Sequence, residues 1–439
     1  MVDTVLHCLS TSSFRPEQRK MGFQAFVTTV SAAFVTFTLW CVIAHELMMV
    51  EGRRFEASPK LLLPQMNGTK EGANARRKLG DSSSKGTFNQ IDNCWRGDPN
   101  WAQDRKRLAD CAIGYGSNTV GGKNGEYYLV TDDGDDAVNP SPGTLRYGAM
   151  QLTPLWIIFE RDMNIHLQNE LIIMSDKTID GRGARVHIGN GPCLTIQDVD
   201  NVIIHGLHIS NCQPGRPGDV RSSTAHVGYR QGSDGDGISV FSSHNVWIDH
   251  NTFSSSQDGL LDVIRGSTGI TISNNAFTDH DKVMLLGHDD NFAADANMRI
   301  SICFNRFGPG LVQRMPRCRL GYFHIFNNEY IEWGMYAIGG SANPTIISEH
   351  NRYQASDSAK EVTKRDSDEG PNVWGGWKWE SNGDLFLNGA FFVESGDGGG
   401  PRPIYGHQPY EEVAASSYGY VLSMTSSAGA LSCSPSRRC

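Results

Sequence analysis

VWIDHNTF at 246–253, ITISNNAF at 270–277, ISICFNRF at 300–307, FHIFNNEY at 323–330 and IISEHNRY at 346–353 decide the fold. Each is an alternating apolar run closed by an Asn, one further residue and an aromatic ring. The asparagines are Asn251, Asn275, Asn305, Asn328 and Asn351, so the steps are 24, 30, 23 and 23 residues. The rings are Phe253, Phe277, Phe307, Tyr330 and Tyr353, and NVIIHGLHIS at 201–210 reads as a related, earlier turn of the chain. Periods of 20–50 residues belong to stacked repeats. A βαβ unit needs about 30 residues or more and a propeller blade about 40–45, so neither matches the step. What fits is a short coil of β-branched, period-2 strands with turn residues between them. Asn tolerates the left-handed turn conformation, and stacked Asn side chains can hydrogen-bond from coil to coil. Aromatics at one place in every coil would stack inside. The expected fold is all-β: a right-handed parallel β-helix, a single-stranded solenoid with one coil per ~23 residues.

Outward from the repeats, composition turns globular at Thr87, so 87–439 is expected to be the β-helix domain with a C-terminal cap. Residues 45–86 are mostly polar, carry Arg53, Arg54, Arg76, Arg77 and Lys78, and read as a flexible spacer. Before them, Met21 to Ala44 run uncharged behind Arg19-Lys20, the pattern of a signal peptide with cleavage after Ala44. Residues 1–44 are therefore read as a leader, with Met21 a candidate start. The alternative is a membrane anchor, since about 24 apolar residues can span a bilayer. The segment is dilute in Leu and rich in Thr, Ser and Ala, which favours secretion and no stable anchor. The sequon Asn67-Gly68-Thr69 fits an extracellular route and makes Asn67 a glycosylation candidate.

The chain has 439 residues, 39 Lys+Arg against 48 Asp+Glu and a formal charge of −9. That balance argues against a general nucleic-acid binder, which would show a basic face. Charged residues make up 20%, too few for a charged disordered chain. The 48 glycines follow no G-X-Y period, which excludes collagen and points to many tight turns. An anionic substrate must then be held by local cations or a metal. Of the 10 cysteines, Cys8 and Cys41 fall in the leader region. The remaining eight allow 105 pairings. Proximity alone suggests Cys94 with Cys111, Cys193 with Cys212 and Cys433 with Cys439, leaving Cys303 and Cys318 as buried apolar thiols. With no CxxC pair, zinc is a weak reading.

Charged motifs sit on the repeats. Asp234-Gly-Asp236-Gly precedes ISVF, and the next coil carries Asp258-Gly-Leu-Leu-Asp262. Residues two or four apart in a strand face the same way, and coils stack about 4.8 Å apart, so four carboxylates can converge. Crowded carboxylates need a counter-charge, and hard oxygen ligands suit Ca²⁺. The following coils supply Lys282 and the cluster Arg314, Arg317 and Arg319. Acidic and basic patches one or two coils apart make a cleft suited to a polyanion. Each motif alone is weak, because DGDG is commonly a solvated turn.

The longer motifs resemble the plant pectate lyases. They include CWRGDPNWAQDRKRLADCAIGYG (94–116), GPCLTIQ, NVIIHGLHI, DGDGISVF, WIDHNTF, DGLLDVIRGSTGITISNN, DHDKVMLLGHDD, GLVQRMPRCRLGYFHIFNNEY and MYAIGGSANPTI. The resemblance runs from about Asn89 to Cys439. It implies β-elimination on de-esterified polygalacturonate (pectate) in the cell wall, leaving a 4,5-unsaturated sugar end. By similarity Asp234, Asp236, Asp258 and Asp262 line a Ca²⁺ site. Lys282 contacts the substrate carboxylate, Arg314 takes the proton on carbon 5, and Arg319, with Arg317 beside it, binds substrate. Guanidinium is hardly ever a base, so neighbouring cations and a high working pH would have to favour its neutral form, and an alkaline optimum is expected. The chain departs from the family at Gly97 and Ser256, where relatives often carry cysteines. The expected state is a secreted monomer.

Two rivals stay open. A pectin lyase would not need four aspartates, and a hydrolase such as a polygalacturonase would need an acid and a base or nucleophile but neither Lys282 nor Arg314. A low-activity, allergen-like wall-binding protein would keep the fold, though no key position is missing here. Trp374, Trp377 and Trp379 suit either a sugar-stacking platform or a cap over the helix end. His250, His280 and His288 read as hydrogen-bonded structural residues.

Overall fold

A computed structural model describes residues 89–366, 370–397, 403, 405 and 418–439. The leader, the spacer and Asn67 lie outside the described residues. The described residues belong to one compact unit within 81–439.

Alternating apolar runs make each coil a set of three short strands, and successive coils pair in parallel. The first sheet has ten strands, from Glu126–Val130 to Trp379–Asn382. The second has eight, from Leu171–Ile172 to Thr363–Arg365, and the third nine, from Met163–Ile165 to Leu385–Leu387. The result is a right-handed parallel β-helix. Register is strict: Val246 lies beside Val202 and Ile270, and Ile248 beside Ile204 and Ile272. These inward residues are buried, and each buried Ile or Val stabilises by about 1.5–3 kcal/mol. Filling every inward position this way, coil after coil, gives the continuous core that a parallel sheet requires.

One corner carries the repeats. Asn275 Oδ1 accepts from the Asn251 backbone N (2.8 Å) and Nδ2 (3.1 Å), and the pattern passes through Asn305, Asn328 and Asn351. Asp384 ends the ladder, accepting from Asn351 N at 2.7 Å. Beside it Phe253, Phe277, Phe307, Tyr330, Tyr353 and Phe386 stack with centroids 4.6–5.6 Å apart. One expectation is corrected. The left-handed residues are those before the ladder asparagines, namely His250, Asn274, Phe304, Asn327 and His350, with φ between 52 and 59°. The ladder Asn earns its place through its side-chain amide. The turn strain falls one position earlier.

The outer face of the ten-stranded sheet is sealed by the chain ends. The helix Gln90–Trp95 is capped by Asn89, whose Oδ1 accepts from Asp92 N at 3.1 Å. Trp95, Trp101 and Leu108 pack there with Trp156, Ile203 and Trp247, joined by Val421 and Met424. Cys94 pairs with Cys111, Cys193 with Cys212 and Cys433 with Cys439, while Cys303 and Cys318 are buried free thiols. Burial pushes both free thiols well above the ordinary thiol range.

His250 belongs to the same seal. Its Nε2 faces Asp92 Oδ1 at 2.8 Å and its Nδ1 the Gly429 carbonyl at 3.0 Å. At the far end of the helix Trp377 and Trp379 are buried in the core, and the Arg365 guanidinium lies 4.1 Å from the Trp379 ring and 4.6 Å from that of Trp374. Trp377 and Trp379 are therefore packing residues of the last coil.

Candidate active site

The site grows on the eight-stranded sheet, away from the segments 89–113 and 421–439 that pack on the ten-stranded one. Strand Ile238–Phe241 pairs with Leu261–Ile264, placing Ser239 beside Asp262; Asp262 lies beside Leu285, and Leu285 beside Arg317. Between the strands Leu194–Gln197 and Ile238–Phe241 the coil is enlarged by an antiparallel hairpin, Gly218–Ser223 with His226–Arg230. The chain returns from that hairpin directly into Asp234.

Asp234, Asp236 and Asp258 each offer a carboxylate oxygen within 4.8 Å of the others. They do not sit in strands as expected. Strand pairing begins at Ile238 and Leu261, so these three aspartates occupy the turns leading in, and only Asp262 is in a strand. Convergence comes from stacked turns. Asp262 stands next to the trio on the adjoining strand, its Oδ1 accepting from Leu285 N at 3.1 Å. Asp236 is held by Gly259 N (2.7 Å) and Ser239 Oγ (2.8 Å). A Cβ at Gly259 would meet Asp262 Oδ1 at 2.4 Å and Asp236 Oδ1 at 3.0 Å, so only glycine lets both carboxylates approach. Burial, with the charge of Asp234, pushes the Asp236 carboxyl up to about 7. Burial and the charge of Asp236 push Asp262 well above the ordinary carboxylate range. An all-oxygen set of crowded, partly buried carboxylates fits a hard divalent cation.

The cations follow on the next coils. Lys282 forms an ion pair with Asp258 and lies in register with Gln313, the residue before Arg314. Arg314 has φ 64°, its carbonyl accepts from Met284 N at 2.8 Å, and its Nε is buried with no hydrogen-bond partner. Arg317 bonds Asp366 at 2.8 Å, and Arg319 bonds Asp290 at 2.9 Å. Burial and the charge of Arg317 lower the pKa of Arg319, against the pull of Asp290. The structure thus places all the basic site residues on the coils following the aspartates. His280 donates to the Asp258 carbonyl, which fixes the turn carrying that aspartate, and His288 packs edge-on against Phe292.

Ser239, Gly259, Asp290 and Asp366 were not singled out in the sequence. Ser239 had a local signal, alternating outward in ISVF three residues after Asp236. Asp290 lies in the turn one coil before Arg319 and Asp366 in the turn two coils after Arg317, outside the paired strands, where strand alternation gives no signal.

Comparison with known proteins agrees with this architecture. Residues 164–372 match the family described as pectate lyase. A protein named probable pectate lyase 22 from Arabidopsis thaliana is 55% identical, over 98% of this chain and 98% of its own. A pectate lyase from Zinnia elegans is 56% identical, over 83% of this chain and 90% of its own. The solved structure of jun a 1, the major allergen from cedar pollen, superposes with a TM-score of 0.76 at 50% identity, covering 78% of this chain and 99% of that one. The chain belongs to the pectate lyase family, enzymes of the polysaccharide lyase class.

Proposed function

We propose that this enzyme cleaves de-esterified polygalacturonate by Ca²⁺-dependent β-elimination, as a monomer secreted to the plant cell wall. The observation that carries the reading is the trio Asp234, Asp236 and Asp258 beside Lys282, with Arg314, Arg317 and Arg319 on the following coils. The trio, with Asp262, would hold the ion. When bound, Ca²⁺ withdraws electron density from a substrate carboxylate and stabilises the charge developing next to it.

The chain's own residues supply the rest. Arg317 and Arg319, oriented by Asp366 and Asp290, present forks to substrate carboxylates. Lys282 adds a fixed positive donor beside the developing charge. Arg314 takes the proton from carbon 5. The electron pair of that C–H bond becomes the double bond between carbons 4 and 5, and the bond from carbon 4 to the glycosidic oxygen breaks, its electron pair leaving on that oxygen, which takes up a proton from water to become a hydroxyl. The base role requires a neutral guanidine, so the optimum should be alkaline.

Secretion is supported by the uncharged 21–44 run behind Arg19-Lys20 and by three disulfides, which persist in oxidising compartments. No helix among the described residues is long and apolar enough to cross a membrane. The decisive assay follows ultraviolet absorbance of the unsaturated product on polygalacturonate, with Ca²⁺ and then with chelator. Product formation that ignores the chelator removes the metal from the mechanism. Equal rates on highly methylated pectin replace the pectate reading with that of a pectin lyase.

A further inference from the structure

The row of outward side chains that carries Asp262 does not stop at the arginines. Arg317 lies in register with Gly339, and Gly339 with Lys364. Read along the axis the row is Ser239, Asp262, Leu285, Arg317, Gly339, Lys364, one residue per coil. Coils rise about 4.8 Å, so Lys364 stands roughly 10 Å beyond Arg317. Gly339 has no side chain to reach outward between them. A Cβ there would meet the Tyr336 ring at 2.4 Å, so the gap is built into the packing.

Lys364 also differs from three other cations of this face. Lys282 is paired with Asp258, Arg317 with Asp366 and Arg319 with Asp290. Lys364 is exposed and forms no ion pair among the described residues. Its neighbour Arg365 points the other way, against Trp374 and Trp379, with its guanidinium bonded to the Val393 carbonyl and Ser395 Oγ. The strand Thr363–Arg365 is thus anchored from inside while presenting the Lys364 ammonium outside, unpaired among the described residues.

We propose that Lys364 is an outlying carboxylate-binding position for a polyuronate chain, extending the substrate track two coils past Arg317 towards the C-terminal end of the β-helix. A polymer with one carboxylate per sugar, laid along the row, reaches Lys364 only when it is long enough to extend past the reacting centre. An oligomer that fills only the centre never meets it. The inference rests on the pectate-cleaving reading for the identity of the polymer. It does not depend on which residue is the base.

The test compares wild type with Lys364→Ala, Lys364→Glu and Lys364→Arg on polygalacturonate and on size-defined oligogalacturonates. An exposed charge contact of this kind is worth roughly a two- to fivefold change in KM. Lys364→Ala should raise KM by that amount on the polymer and on long oligomers, Lys364→Glu by more, and Lys364→Arg little. KM on the shortest cleaved oligomer and kcat throughout should stay put. The difference should shrink in high salt, as an exposed charge contact does. A KM unchanged at every length, or raised equally at every length, overturns the proposal. Gel retardation of the same proteins by immobilised polygalacturonate separates the two readings. If wild type yields no unsaturated product, the elimination chemistry fails. Weaker retardation of Lys364→Glu than of wild type then still supports the subsite, and equal retardation removes it.

Discussion

His250 shows how much a single side chain can settle. Both its ring nitrogens face oxygen atoms, Asp92 Oδ1 and the Gly429 carbonyl, so both carry protons and the ring is an imidazolium. Burial weighs against that charge, but the carboxylates of Asp92 and Asp249 outweigh it, and the pKa is raised. A raised folded-state pKa stabilises fully below the unfolded value of about 6.5 and is lost as pH rises through the folded value. Replacing the ring takes the partner from Asp92 Oδ1, while Oδ2 keeps its bond to the Arg96 guanidinium at 2.6 Å, so the cost is that of one unmade buried hydrogen bond, about 1–3 kcal/mol. His250→Gln should therefore lower the unfolding midpoint most at pH 6, and its deficit against wild type should narrow towards pH 9. A deficit that is flat across this range would mean that the ring is neutral. Arg314 is tested by activity instead. Arg314→Lys keeps a positive charge but loses the guanidine, so turnover should fall by at least about a hundredfold, within the usual reach of acid–base catalysis. If most turnover survives, Arg314 is an electrostatic clamp.

At the scale of the element, the asparagine corner is the main source of specificity in the stacking. Asn305 Oδ1 accepts from Asn275 N and Nδ2, and its own Nδ2 donates to the Ile272 carbonyl. Asn305→Ala strands buried donors on the neighbouring coil and should cost about 2–4 kcal/mol, read from the denaturant midpoint. This corner was legible in the sequence because a ladder demands the same residue type once per coil, whatever lies between. The 30-residue step stood in the sequence without a cause, and the structure fills it with the 3₁₀ turn Ala293–Asn297. What could not be read was turn geometry. Asp234, Asp236 and Asp258 were recognisable as ligand-type residues, yet strand periodicity was the wrong reason for their meeting, since turns obey no period. The left-handed residue was misplaced by one position for the same cause.

For the whole molecule, crowded acid on one face should make stability depend on the cation. Ligands that bind only the folded state stabilise it by mass action, by about 2.7 kcal/mol at a hundredfold excess over Kd. Adding Ca²⁺ to metal-free protein should raise the thermal midpoint. Asp236→Asn removes one buried charge from a repelling group, so its midpoint in chelator should match or exceed that of wild type, while its rise with Ca²⁺ should largely disappear. A full Ca²⁺ response in Asp236→Asn would place the ion elsewhere. The arginines' acidic partners belong to this scale too. Asp290 and Asp366 reach Arg319 and Arg317 across one and two coils, 29 and 49 residues away in sequence, so no local window of sequence contained them.

The asparagine ladder has one more consequence, for how such a chain can change over time. Because each rung is bonded to the next, length variation at that corner would break the bonds of that rung to both neighbours. The hairpin 218–230 and the 3₁₀ turn Ala293–Asn297 show where extra residues are instead absorbed, in loops between strands away from the ladder. The hairpin feeds directly into the acidic turns. The mouth of the cleft can thereby be remodelled while the spine stays fixed, and grafting a foreign loop between 212 and 234 should alter which polymers are accepted without unfastening the coils.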